Sequence, residues 1–195
     1  MRKVKDVRTE TTDILVAADV TSLYTVIDHN EGIQACEEAL EGRSEAEKKR
    51  SPTEFITKLI RIILSSNCFI FAGRLFRQIL GTAMGTPMAP SYANLFMSKI
   101  ETKILNGYEK KTGLRPKFWF RFLDDIIFLW GHGEESLHDF LEYMQDFGRK
   151  ENMKTQLKFT FEIGSEVSFL DTKVKVDKGS IKTDNYISFM NDLYD

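Results

Sequence analysis

FWFRFLDDIIFLW, from Phe118 to Trp130, is almost wholly apolar, yet two adjacent carboxylates, Asp124-Asp125, stand at its centre. Burying an unpaired carboxylate costs several kcal/mol or forces its neutralisation. A bound divalent cation removes that penalty, because carboxylate oxygens are the ligands that hard cations such as Mg²⁺ select. Aromatic and aliphatic residues run up to the acids and resume after them, which predicts two strands joined by a tight turn with the acids at its tip. An ordinary surface turn is the competing reading, since Asp is common in turns.

The surroundings bound what such a hairpin can belong to. A chain of 195 residues holds one ample core, or a core with a small appendage. No stretch approaches the roughly 18 apolar residues that span a membrane. The N-terminal MRKVKDVRTE is charged and has no apolar signal segment. Cys36 and Cys68 lie far apart, and His29, His132 and His138 show no zinc-ligand spacing. An intracellular, reduced protein is the expectation, compatible with the nucleus. The formal net charge of −2 weighs against a complete nucleic-acid-binding enzyme, which usually carries a basic face. Positive charge is instead local: Lys48-Lys49-Arg50, then Lys110, Lys111, Arg115, Lys117 and Arg121, then Arg149, Lys150, Lys154 and Lys158. Solvated faces are the common reason for such runs, but their flanking of the acids also suits phosphate contact.

Along the chain, ILVAADV within Asp13–Tyr24 predicts a strand with Asp19 near its end. A short helix is expected over Glu31–Leu40, then a charged, exposed loop over Glu41–Arg50. Ser51-Pro52-Thr53-Glu54 has the pattern of a capping box with proline at the first helical position. The helix it starts should bury Phe55, Leu59, Ile62 and Ile63. Phe69–Phe71 and Leu75–Ile79 flank Ala72-Gly73 as a hairpin. The loop GTAMGTPMAP, Gly81–Pro90, then opens a helix from Ser91 to about Tyr108. A second amphipathic helix is expected over Glu134–Phe147, with Leu137, Phe140, Leu141, Met144 and Phe147 at helical spacing. Strands follow around Leu157–Glu162, Val167–Val176 and Ser180–Tyr186, the last two joined at Asp177-Lys178-Gly179. This order predicts an α+β domain, an antiparallel sheet packed on helices.

If the Asp19 strand lies beside the Asp124-Asp125 hairpin, acids from two strands converge at one end of the sheet. Such carboxylates can hold two Mg²⁺ ions about 3.5–4 Å apart, an arrangement suited to in-line phosphoryl transfer. Catalysis of that kind is mainly positioning and charge stabilisation.

Five segments then resemble the reverse transcriptases, most closely those of Penelope-like retroelements. ADVTSLYT at Ala18–Thr25 looks like motif A, and GTAMGTPMAPSYANLFM at Gly81–Met97 looks like motif B. RFLDDIIF at Arg121–Phe128 resembles motif C, with Phe122 where many relatives have Tyr. LKFTFE at Leu157–Glu162 resembles motif D, and VSFLDTKVKV at Val167–Val176 the segment after it. The match covers about Asp13 to Asp184. It implies a reverse-transcriptase palm with partial fingers and an RNA-directed DNA polymerase activity on an RNA template, a DNA primer and dNTPs.

By position, the resemblance makes Asp19 and Asp124 the principal metal ligands. Asp125 supports them, and the Val20 carbonyl also reaches a metal. The cofactors it implies are two Mg²⁺ ions, with Mn²⁺ as a substitute. Tyr24 becomes the aromatic gate under the incoming sugar. Met84 and Gly85 lie against the templating pair and nucleotide, Met84 standing where many relatives carry Gln. Lys158 is the candidate proton donor to pyrophosphate, while Asp171 reads as structural. Relatives also carry a longer N-terminal fingers segment, a thumb and usually a GIY-YIG endonuclease. The chain therefore reads as a palm-centred, truncated single domain. Other readings stay open: an inactive remnant that keeps the palm fold, a nucleic-acid-binding module without polymerase chemistry and, within the enzyme class, a telomerase-type protein.

Overall fold

A computed structural model describes residues 9–10, 12–177 and 179–185. The chain divides into two compact units. One comprises 1–21, 105–146 and 158–195; the other comprises 22–104 and 147–157.

The first unit is built on a four-stranded antiparallel sheet. Its strands are β1 (Ile14–Val20), β4 (Phe118–Phe122), β5 (Asp125–Trp130) and β6 (Phe159–Gly164), in the order β4-β5-β1-β6. Pleating sends alternate residues to opposite faces. Leu15 and Ala17 on β1 and Ile127 and Leu129 on β5 share one face. There they pack with Phe118, Val167, Val174 and Ile181. Val167, Val174 and Ile181 come from a separate three-stranded sheet, β7 (Glu166–Phe169), β8 (Thr172–Asp177) and β9 (Ser180–Asn185). The other face meets helix α6 (Glu134–Lys150), where Phe140 lies against Phe128 at 5.7 Å and against Trp130 at 4.9 Å between ring centroids. Tyr108, on helix α5 (Ala89–Thr112), completes that cluster at 4.9 Å from Phe140. Burial on both faces explains why β5 reads as an unbroken apolar run rather than an alternation.

The second unit contains α1 (Leu23–Val26), α2 (His29–Glu41), α3 (Glu45–Arg50), α4 (Thr53–Ser66) and the hairpin β2 (Cys68–Phe71)–β3 (Arg74–Arg77). Helices α5 and α6 each contribute residues to both units. Asp28 caps α2 by accepting hydrogen bonds from the amides of Asn30 and Glu31 at 3.0 and 3.2 Å. Glu31, in the first turn of α2, accepts from the amides of Lys154 and Thr155, which fixes the 153–155 loop to the helix start. Gly32 is required by close approach: a Cβ there would stand 1.9 Å from Tyr92 Oη.

The α+β expectation holds, with several corrections. The charged segment 41–50 is not a loop: it contains α3, and the capping box is there, between Ser44 and Glu47. The α4 helix starts from Pro52 without a side-chain cap. Its buried face carries Thr57, Ile60 and Leu64. Phe55, Leu59, Ile62 and Ile63, expected in the core, are exposed. The run FITKLIRIIL is apolar on more than one side, so periodicity did not select which side meets α2. The expected strand Val167–Val176 is two strands, β7 and β8, turning at Leu170-Asp171. Tyr186, expected to close the last strand, lies outside the described residues.

Phe140 is fully buried among four aromatic rings. Truncation by Phe140→Ala should therefore cost about 3–5 kcal/mol, read as a lower urea midpoint with unchanged slope.

Candidate active site

The acids are placed by strand register. Antiparallel pairing of β1 with β5 runs from Ile14↔Trp130 to Asp19↔Asp125, so two carboxylates stand directly across from each other at the end of the ladder. They share the pleat face of Ala17 and Ile127. Asp124 is the second residue of the two-residue turn between β4 and β5, whose closing pair is Phe122↔Asp125. The Val20 amide donates to the Asp124 carbonyl at 3.1 Å, tying the end of β1 to that turn. Asp19 and a hairpin acid thus converge at one end of the sheet as expected: the register partner of Asp19 is Asp125, and Asp124 stands in the adjoining turn.

The turn itself is strained. Leu123 has φ 55°, a left-handed conformation that hairpins of this length usually give to glycine. For a side chain with a Cβ this costs about 1–2 kcal/mol. Arg121 compensates: its Nη1 donates to the Leu123 carbonyl at 2.9 Å. The β7–β8 turn repeats the pattern in Phe169-Leu170-Asp171-Thr172, with Leu170 at φ 54°. Asp171 is exposed in that separate turn.

Burial comes first, and the Asp124 charge second, in raising the Asp19 carboxyl above its ordinary range. Burial likewise leads for Asp125, followed by the charges of Asp124 and Asp19. Asp19 and Asp125 also line a cleft of about 240 Å³ with Thr160, Glu162 and Ser168. Among the described residues, no group of three or more His, Cys, Asp or Glu side chains is assembled in ligating geometry. On the other side of β1, the Thr21 amide donates to the Lys158 carbonyl at 2.9 Å. Lys158 therefore stands at the same end of the sheet as Asp19, exposed, one residue before β6.

The expected nucleotide-binding residues Tyr24, Met84 and Gly85 lie in the second unit. There the 81–85 loop is held against α1. The Thr82 amide donates to the Tyr24 carbonyl, and the Gly81 amide to the Ile27 carbonyl, both at 2.7 Å. A Cβ at Gly81 would stand 2.1 Å from the Tyr24 carbonyl oxygen, and its φ of +69° also favours glycine. His29 Nε2 is hydrogen-bonded to the Gly81 carbonyl at 2.8 Å. Met84 is 76% exposed. Arg121 and His29 escaped sequence reasoning as positioning residues because their partners are main-chain carbonyls.

The reverse transcriptase (RNA-dependent DNA polymerase) family model matches residues 1–173. The chain belongs to that family. No curated protein matches it. Among solved structures, apo telomerase from Candida tropicalis, truncated from its C-terminal domain, superimposes with a TM-score of 0.63 at 12% identity. The match covers 88% of this chain and 35% of that one. An RNA-dependent RNA polymerase of a human picobirnavirus, an insertion-loop deletion mutant, gives 0.61 at 10% identity, over 87% of this chain and 31% of that one. At such identities the likeness shows the fold, a reverse-transcriptase-like palm. The chain spans about a third of the length of these structures.

The raised carboxyls set a pH signature. A folded-state pKa above the unfolded value makes ionisation costly to the native state, so stability falls as pH rises through the interval between the two. Asp19→Asn should therefore raise the thermal midpoint of the metal-free protein at neutral pH. The gain over wild type should vanish once pH drops below the ordinary carboxylate range, as followed by thermal melts across pH.

Proposed function

We propose that this chain is the palm-centred domain of an RNA-directed DNA polymerase of Penelope-like retroelement type, joining a dNTP to a primer 3′-hydroxyl. The observation that carries the reading is the β1–β5 register, which sets Asp19 across from Asp125 with Asp124 in the adjoining turn. The five motif resemblances, in their chain order, support the Penelope-like assignment.

The donor set suits a hard divalent cation. The acids offer oxygen donors from neighbouring backbone positions, and the Asp19 and Asp125 carboxyls are raised by desolvation and by neighbouring carboxylate charge. A ready-made cage is not required, because Mg²⁺ keeps several waters and takes one or two carboxylates plus substrate phosphates. Asp19, Asp124, Asp125 and the Val20 carbonyl would hold two Mg²⁺ ions, or Mn²⁺ in their place. When bound, such ions lower the pKa of the attacking hydroxyl and stabilise charge on the leaving oxygens. The sheet fixes the backbone at Asp19 and Asp125, so both acids would meet the substrate without main-chain reorganisation. Lys158 would donate a proton to the departing pyrophosphate. Tyr24 would reject a 2′-hydroxyl on the incoming sugar by steric conflict. Met84 and Gly85 would lie along the base pair being formed, where absence of a Cβ at Gly85 permits close approach.

A primer-extension assay on an RNA template tests the reading. Mg²⁺-dependent extension by the 195-residue chain should fall at least a hundredfold in Asp124→Asn, and Tyr24→Ala should raise the use of ribonucleotides relative to deoxyribonucleotides. Extension that survives Asp124→Asn would sink the assignment.

A further inference from the structure

Twelve of the fifteen exposed large hydrophobic residues among those described fall between Phe55 and Met84, inside the second unit. The unpartnered apolar surface is therefore concentrated in one stretch of chain. It begins on α4, where Phe55, Leu59 and Ile62 recur at the i, i+4, i+7 spacing of a single stripe, opposite the buried Thr57, Ile60 and Leu64. A helix that is apolar on two opposite sides has the pattern of one covered on both. The charge beside the stripe does not oppose such cover, because Lys58 is paired with Glu54 at 2.7 Å. Helix α4 then runs through Asn67 directly into the β2–β3 ribbon, whose strand residues are all exposed. A two-stranded ribbon is marginal by itself in water. Among the described residues no third strand pairs with it.

The two edges of the ribbon are unlike. Strand β3 carries Arg74 and Arg77, charges of the kind that guard an edge against pairing. Strand β2, Cys68-Phe69-Ile70-Phe71, carries no charge. The hairpin register fixes which of its main-chain groups are free. The loop is Ala72-Gly73, with φ 49° and 73°, and its closing pair is Phe71↔Arg74. Four residues further from the loop on each strand, the Gln78 amide donates to the Asn67 carbonyl at 2.8 Å. Hydrogen-bonded pairs alternate along an antiparallel ladder, so residues 67, 69 and 71 face β3, and the amides and carbonyls of Cys68 and Ile70 point outward.

An occupant of this edge must bring a free strand edge of its own, and a second copy brings the same one. Antiparallel pairing about a two-fold axis sets Ile70 opposite Ile70 of the second copy, where their outward amides and carbonyls can exchange both hydrogen bonds. Phe69 then falls across from Phe71 of the second copy, and Phe71 across from its Phe69, as aromatic cross-strand pairs with no charges opposed. The product is a four-stranded sheet with a guarded β3 at each outer edge, so association closes at two copies. The exposed apolar side chains from α4 through the ribbon offer on the order of 1,000 Å² per copy, and a standard interface takes about 800 Å² from each partner. A net charge of −2 leaves little long-range repulsion between copies.

We propose that this chain forms a two-fold symmetric dimer through the β2 edge, with the α4 stripe joining the contact. The contact uses residues of the second unit alone and stands or falls independently of the polymerase reading.

Sedimentation velocity of the 195-residue chain over roughly 1–100 μM tests the dimer. The wild type should pass from 22.5 kDa to twice that mass and stop there. Ile70→Lys and Ile70→Glu each set like charges face to face on the axis, so each variant should stay monomeric. Mixed in equal amounts the two should dimerise, because opposite charges then meet. Leu75→Lys, on the same face of the ribbon but on β3, should associate as wild type. Ile62→Lys, on the α4 stripe, should weaken the dimer on the order of tenfold. Far-UV circular dichroism should be unchanged throughout, because the substituted side chains are exposed. A wild type that stays monomeric, or grows past two copies, overturns the proposal. So does wild-type association in Ile70→Lys or Ile62→Lys, a mixture that stays monomeric, or a loss in Leu75→Lys equal to that in Ile70→Lys.

Discussion

The pairing of β1 with β5 is the constraint on which the first unit depends. One ladder joins two strands whose apolar residues fill both faces of the sheet, and it ends by setting Asp19 opposite Asp125. The same residues therefore build the core and aim the acids. Repulsion between the carboxylates and the partial burial of Asp125 act against folding, but the aromatic cluster around Phe140 and the Leu15–Leu129 face hold the strands in place. Stability is spent at the sheet end and supplied a few residues away, a common arrangement at functional sites.

In the second unit, main-chain hydrogen bonds perform the corresponding task. Gly81 and Thr82 dock on the carbonyls of Ile27 and Tyr24, and His29 adds a third tether from the start of α2. The loop that follows is open: nothing stands within 4 Å of a Cβ built at Gly85, and Met84 is turned to solvent. A fixed base with an open tip is what a loop needs if it is to approach a ligand closely without being displaced.

Much of this was legible in the sequence because the informative residues break a local pattern. Acids inside FWFRFLDDIIFLW, and Asp19 after ILVAA, identify strand ends by simple contrast. The motif order supplied the palm fold, which the family match and the solved structures bear out. What stayed hidden depends on partners distant in the chain. The buried side of α4 was ambiguous because apolar residues occur around the helix, and contact with α2 decides between them. The Leu170-Asp171 turn lacks glycine and proline, although the same Phe-Leu-Asp string at 122–124 marks an identical turn. The Asp19↔Asp125 register follows from tertiary pairing, which composition does not encode.

The alternation of β1 also bears on how faithfully the chain finds its fold. A slip of one residue against β5 would exchange the two faces of the strand. Asp19 would then turn toward the aromatic side of the sheet, and Val16 and Ala18 would leave it. The misaligned species would bury a charge among rings and have nothing to neutralise it. The carboxylates thus act as proofreaders of strand assembly: residues that weaken the correct structure penalise the nearest wrong one far more heavily.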